Sequence, residues 1–312
     1  MSDAFDPPKL VQGLSGVSVM RLSTFRRTSV LLTLAVPFVF MPGQQVSQPA
    51  AAATRTVVSL TFDDGHASHF STLPMLASHG MAGTFYINSA MVGSSTYYMP
   101  WPQIHALAAA GNEIGGHTLH HANLTEIGPM IRRHEVCWDR QILLDRGFSP
   151  VASFAYPEAA ANAAAERMVR SCGYVSGRSA GNIYSDGICR SCPYAESMPP
   201  ADAFALSTPE PAAVDTTLAQ LKRYVTDAEN HGGGWVILNF HGICDNLCTA
   251  DNSLRRGRFT AFLDWLQPRS ANGTVVRTVG HVMGARAAAK PPDAVSTGCS
   301  RAALMWRTPG RL

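Results

Sequence analysis

The chain has 312 residues, 46% of them hydrophobic and 15% charged, with a formal net charge of +3. That apolar share excludes disorder over the whole length, which needs few apolar residues and high net charge. The near-neutral balance excludes a strongly basic nucleic-acid binder and a polybasic membrane-surface protein. Most of the excess charge lies at the start: Lys9, Arg21, Arg26 and Arg27 face Asp3 and Asp6 within residues 1–53, a balance of +2, which leaves +1 for the rest.

Arg26 and Arg27 precede an apolar stretch from Val30 to Met41, and the small residues Ala50 to Ala53 follow. A basic segment, a short apolar run and a small-residue cleavage region together make the pattern of a secretory signal peptide. A buried N-terminal helix is the plainer alternative, but Pro37 would end it early. Met20 offers a second start position. The expected organisation is a leader over 1–53, a folded domain over 54–285 and a loosely ordered tail over 286–312. No apolar run reaches the ~18 residues of a membrane span, so the mature chain is expected to be secreted without stable membrane insertion. The seven cysteines of an exported chain read as disulfides. Cys189 and Cys192 are spaced for a local bridge, a half zinc knuckle or a redox pair, and the surrounding Gly and Pro favour the bridge. Cys244 and Cys248 form a second close pair, and Cys299 is left over.

From residue 56 the pattern alternates between strands and helices. Strands are expected at 56–62, 82–88, 113–117, 151–156, 174–177, 235–240 and 275–279, where short β-rich runs end in turn residues. Helices are expected at 69–79, 102–110, 125–146, 160–171, 213–231 and 259–266, the third capped by Thr125. The Gly-, Pro-, Ser- and Cys-rich stretch 179–211 reads as a long loop. Such alternation argues a largely parallel sheet with helices outside it, open or closed into a barrel.

The first core strand ends in Thr61-Phe-Asp-Asp-Gly65. Adjacent carboxylates at the C-terminal end of a strand sit where α/β folds place ligands, and a bound cation or a shared proton would relieve their repulsion. A plain Asp-Gly turn is the competing reading. His117-Thr-Leu-His-His121 shifts the balance. Histidines at i and i+4 share one face of a helical turn and are a common metal-ligand spacing, with His120 out of phase. Two imidazoles and the Asp64 carboxylate make a three-ligand set with open positions, the form of a catalytic metal site. Trp235-Val-Ile-Leu-Asn-Phe-His-Gly242 brings His241 to the end of an apolar strand beside Asp63 and Asp64. An acid and a base beside a metal suit metal-assisted hydrolysis.

These three motifs, in this order and at these distances, resemble the polysaccharide deacetylase family, also called NodB-homology or carbohydrate esterase family 4, over roughly residues 55–285. The resemblance implies a distorted (β/α) barrel, a divalent metal that is usually zinc, and hydrolysis of acetyl groups on a polysaccharide or oligosaccharide. Carried over by position, Asp63 is the catalytic base, Asp64, His117 and His121 the metal ligands, and His241 the catalytic acid, with Leu238 lining the acetyl pocket. The third motif departs from the family pattern. Where Arg-x-Pro-Tyr-Gly is common, this chain reads Ala155-Tyr156-Pro157-Glu158-Ala159, without the Arg that pairs with the base. Glu158 would still offer its backbone N–H to an oxyanion, with Tyr156 beside it, and Arg178 at the end of the next strand is the expected substitute. A surface arginine is the alternative reading for Arg178. The function implied is a secreted, monomeric, metal-dependent N-deacetylase. An acetylxylan-type O-acetyl esterase and a carbohydrate-binding pseudo-enzyme of the same fold are the alternatives, and no motif names the glycan.

Overall fold

The structure is a computed structural model that describes residues 56–185, 188–245 and 252–285. The expected leader at 1–53, the tail at 286–312, Cys248 and Cys299 lie outside the described residues.

A parallel sheet is the frame. Strand β1 (Thr56–Phe62) runs beside β7 (Gly234–Phe240) along its whole length, in register from Thr56↔Gly234 to Phe62↔Phe240. Its other edge is shared: β10 (Thr274–Val276) pairs with Thr56–Val58 and β2 (Thr84–Ile87) with Thr61 and Phe62. From β2 the sheet continues through β3 (Glu113–Gly116), β4 (Ser153–Ala155), β5 (Ser176–Asn182) and β6 (Leu206–Thr208), all parallel. The chain around β6 then returns to β7. Glu196 and Trp235 exchange backbone hydrogen bonds of 2.9 and 2.8 Å, and the Ala212 N–H donates to the Asn239 carbonyl at 2.9 Å. The closure is thus made by loop-to-strand bridges instead of a ladder, which is the distortion in this (β/α) barrel. A small parallel pair, β8 (Gly242–Cys244) with β9 (Ser253–Arg255), follows β7.

Alternation along β1 divides the two faces. Val58, Leu60 and Phe62 point to the helices, where Phe62 stacks on Phe85 at 4.5 Å and meets Phe240 and Phe259 at 5.5 and 5.8 Å. Each such ring contributes roughly 1.5–3 kcal/mol by its burial. Val57 points inward and joins Leu206, Trp235, Ile237 and Val279 in a smaller apolar plug. The inward polar groups of β1 are satisfied locally: Trp235 Nε1 donates to Ser59 Oγ at 2.9 Å, and Thr61 Oγ1 to the Leu238 carbonyl at 2.9 Å. This plug occupies part of the barrel interior, and a cavity lies at the C-terminal ends of the strands.

The α-helices among the described residues are α1 (Thr72–Ser78), α2 (Trp101–Ala109), α3 (Pro129–Arg133), α4 (Asp139–Asp145), α5 (Ala163–Ser171), α6 (Leu218–Asn230), α7 (Arg256–Leu266) and α8 (Val279–Val282). Asn162 caps α5 by accepting from Ala164 and Ala165 N–H, and Thr217 with Gln220 forms a capping box on α6, so both start later than expected. The helix expected over 125–146 is broken. Thr125 donates to Asn123 Oδ1 in a turn instead of capping, Gly128 and Pro129 start α3, and a π-helical turn at His134–Trp138 separates it from α4. Met130 and Ile131, apolar residues of the expected helix, are exposed on α3. The π turn has a use: it lets both Glu135 and Asp139 point at the barrel. Within 179–211, read as loop, β5 runs on to Asn182 and β6 adds a short strand.

Cys189 and Cys192 form the expected local bridge, and Cys137 joins Cys172 across 35 residues of sequence, tying the π turn to the end of α5. Closing a loop of that length stabilises by about 4 kcal/mol in the chain-entropy picture. Cys244 is also disulfide-bonded.

Candidate metal and catalytic site

Asp63 and Asp64 leave the C-terminal end of β1 in opposite directions, as consecutive strand residues do, and Asp64 takes a left-handed backbone at φ +75°. Asp63 turns inward and is buried, its N–H donating to the Phe240 carbonyl at 3.0 Å. Arg178, on β5 and 1% exposed, donates Nη2 to both Asp63 oxygens at 2.5 Å and Nη1 to the Ser179 carbonyl at 3.0 Å. Burial alone would raise the Asp63 pKa. Arg178 foremost, then His117 and His241, hold it below the usual carboxylate range.

Asp64 faces imidazoles instead. Its Oδ1 lies 3.2 Å from Nε2 of His117 and 3.2 Å from Nε2 of His121, and its Oδ2 lies 3.2 Å from Nε2 of His66. Burial would raise its pKa as well, but His117, His121 and His66 drive it far below the ordinary value.

His117 follows β3, whose Gly115 and Gly116 allow close approach. A Cβ on Gly116 would fall 1.9 Å from the Tyr174 hydroxyl oxygen and 2.7 Å from Asp139 Oδ2. Asp139 in turn accepts the N–H of Ser89 at 3.0 Å and of His117 at 3.1 Å, and burial pushes its pKa up to about 7. His117 and His121 do not share a helical turn. Thr118 and His121 have φ of +68° and +59°, the Asn88 side-chain amide donates to the carbonyls of His117 and Thr118, and the two rings meet edge-on with centroids 5.0 Å apart. The i, i+4 spacing brings the nitrogens together by a tight irregular loop. His120 faces away, as expected, and pairs with Glu135 at 2.9 Å.

The donor set fits a divalent cation. The His117 Nδ1–H donates to the Ala155 carbonyl at 2.8 Å, so a neutral ring presents a bare lone pair at Nε2. That lone pair faces Asp64 Oδ1, a buried oxygen with no hydrogen-bond partner. Two lone pairs 3.2 Å apart repel unless a positive charge lies between them. Burial opposes such a charge on His117, yet the neighbouring Asp64 raises the histidine pKa regardless. The ligand atoms of Asp64, His117 and His121 all lie within 4.8 Å of one another.

Across from them is a cavity of about 260 Å³ lined by Asp63, His117, His121, Tyr156, Glu158, Ala159, Arg178, Ala180, Glu210, Pro211, Asn239 and His241. Burial lowers the His241 pKa, Asp63 and Asp64 oppose that, and Arg178 adds to it. His69, fully buried in the single helical turn Ala67–Ser71, donates Nε2–H to the His241 carbonyl at 2.5 Å, and burial drops its pKa to about 3.

Residues 50–177 match the family model described as polysaccharide deacetylase. That match assigns residues 50–177 to the polysaccharide deacetylase family. Among solved structures it is similar to the Xyl-CE4 domain of a multidomain xylanase from the hindgut metagenome of Trinervitermes trinervoides, at 18% identity and TM-score 0.47, covering 74% of this chain and 90% of that one. It is similar also to the Bc1960 peptidoglycan N-acetylglucosamine deacetylase, at 13% identity and TM-score 0.49, covering 76% and 92%. A third is BA3943, a CE4 family pseudoenzyme from Bacillus anthracis, at 13% identity and TM-score 0.46, covering 74% and 66%.

At this end of the barrel the structure brings Asp63, Asp64, His117, His121, Arg178 and His241 together. Glu158 and Tyr156 line the same cavity. Glu158 sits at φ +57° with its carboxylate accepting from Asn123, and Tyr156 is buried with its hydroxyl donating to the Phe204 carbonyl at 3.0 Å. Leu238 is not brought to the cavity. It belongs with Phe62 and Phe240 to the layer between sheet and helices, and the alternate residues Asn239 and His241 face inward. Sequence reasoning misses Asn239, His66, His69 and Asp139. The two histidines directly after Asp-Asp-Gly carry a visible signal; Asn239 and Asp139 carry none.

Proposed function

We propose that the chain hydrolyses an N-acetyl group of an amino-sugar glycan, using a divalent metal, with zinc the ion that best suits its two-imidazole, one-carboxylate donor set. The observation that carries this reading is the placement of Asp63 and His241 on one cavity beside the Asp64, His117 and His121 set. When bound, the cation would polarise the acetyl carbonyl and make a water molecule more acidic. Asp63, ionised at neutral pH under the hold of Arg178, is the base that takes the proton from that water as its oxygen bonds to the carbonyl carbon. As the carbon–nitrogen bond breaks, His241 gives a proton to the leaving amine, and a histidine whose pKa burial lowers is a stronger donor once protonated. The backbone N–H of Glu158 is assigned to the developing oxyanion.

An amide substrate is favoured over an ester by Asn239. Its Oδ1 is buried without a partner and its side chain lines the cavity, so an incoming amide N–H would satisfy an acceptor that an ester oxygen cannot. The leader pattern at 1–53 supports export. The test is acetate release from chitin oligomers, peptidoglycan, poly-N-acetylglucosamine and acetylxylan, with and without chelator. Metal-dependent release from an N-acetylated member, faster than from acetylxylan, is expected. No release from any of them would overturn the reading.

A further inference from the structure

His66 directly follows the Asp-Asp-Gly turn, is 5% exposed, and is not one of the residues whose ligand atoms cluster as a metal set. Its Nε2 nevertheless stands 3.2 Å from Asp64 Oδ2, the oxygen turned away from His117 and His121. Oδ1 is buried without a hydrogen-bond partner, Oδ2 is not, and since a carboxylate oxygen only accepts, a hydrogen bond to Oδ2 places the hydrogen on His66 Nε2. The ring is also held from several sides. His66 and Tyr98 form an antiparallel bridge, the Ala67 N–H donates to the Tyr97 carbonyl at 2.7 Å, and the Met99 N–H to the Gly65 carbonyl at 2.9 Å. The Tyr97 and His69 rings pack on it with centroids 4.4 and 5.3 Å away. Residues 97–99 are thus zipped to the loop that presents Asp64, and the imidazole can move little.

Asp64 needs such support. It stands on a left-handed backbone at φ +75°, a conformation that non-glycine residues adopt only at a cost, and a free carboxylate there could rotate to offer either oxygen. We infer that His66 is a positioning residue: its Nε2–H holds Asp64 Oδ2 and so commits Oδ1 to the cation shared with His117 and His121. The inference rests on the metal site proposed above. Partners of this kind, set behind a ligand, commonly change metal affinity 10- to 100-fold when removed.

The test measures zinc affinity of the full chain by competition with a chromophoric chelator, in wild type, His66→Phe and His66→Gln. Phenylalanine keeps a ring between Tyr97 and His69 but removes the donor; glutamine returns an N–H at similar reach. Zinc binding about 10- to 100-fold weaker in His66→Phe, with most of the loss recovered in His66→Gln, is expected. Equal affinity in a folded His66→Phe chain, or a folded His66→Gln chain no better than it, would overturn the role. Should the phenylalanine variant fail to fold, imidazole nitrogen NMR of wild type decides. His66 Nε2 should keep its proton when zinc is added while the Nε2 atoms of His117 and His121 take the metal, and a metal-bound His66 would refute a positioning role. Wild-type chain that binds no zinc at all would bring down the metal reading itself, before His66 is touched.

Discussion

The two sides of the Asp63–Asp64 pair solve one electrostatic problem in different ways. On the inner side Asp63 is buried and faces a permanent cation, the Arg178 guanidinium, which occupies both of its oxygens. On the outer side Asp64 meets three imidazoles at 3.2 Å and keeps a buried oxygen with no hydrogen-bond partner. A fixed cation holds Asp63 ionised and in place, whereas the ligand atoms of Asp64, His117 and His121 converge within 4.8 Å of one another, where a divalent cation would be held. Neighbours in sequence therefore meet different partners, as the alternation of a strand turns them apart, and Asp64 adds a left-handed backbone at φ +75°.

That comparison breaks hardest on the outer side. His117→Ala should lose most of the bound metal and nearly all turnover, since the imidazole is buried and held by the Ala155 carbonyl. Metal content by mass spectrometry and acetate release check it, and stoichiometric zinc in a double His117→Ala, His121→Ala chain would show that the ligands are elsewhere. On the inner side, Arg178→Ala leaves a buried carboxylate without its cation and should destabilise by roughly 3–5 kcal/mol in denaturant unfolding. Combining it with Asp63→Asn should recover a good part of that loss, because the uncompensated charge is then gone. Additive losses in the double variant would mean that the pair is not coupled.

Much of this division is legible in the amino-acid sequence. The Asp-Asp-Gly turn, the histidine spacing and the strand bearing His241 are each local patterns, and strand position alone points to Arg178, 115 residues from Asp63. Other features escape for physical reasons. Strand β7 is buried on both faces, so no polar alternation shows which way Leu238 and Asn239 point. The helical turn expected at 117–121 fails because β3 hands the chain directly into positive-φ residues, which nothing in their side chains demands. Asp139 looks like an ordinary polar position on an amphipathic helix. Only the π turn before it aims the carboxylate at the backbone of Ser89 and His117.

A smaller effect sharpens the inner side further. His69 holds the His241 carbonyl and, with its pKa lowered to about 3 by burial, stays neutral in the folded chain. The unfolded histidine, near its ordinary value, takes up a proton as pH falls below about 6.5. Stability is therefore full above that value and is lost as pH drops toward the folded pKa, by about 2 kcal/mol between pH 7 and pH 5 from this one group. His69→Gln keeps an N–H donor but cannot titrate, so its unfolding free energy should fall less over the same interval. An identical pH slope in the two chains would remove His69 from the account.

The most direct test of the division of labour compares Asp63→Asn with Asp64→Asn, measuring bound metal and acetate release in the same preparations. Asp63→Asn should retain one metal ion while turnover falls by about 10²–10⁴-fold, the usual contribution of a general base. Asp64→Asn should lose the metal and the activity together. Metal lost from the Asp63 variant and kept in the Asp64 variant would contradict the assignment.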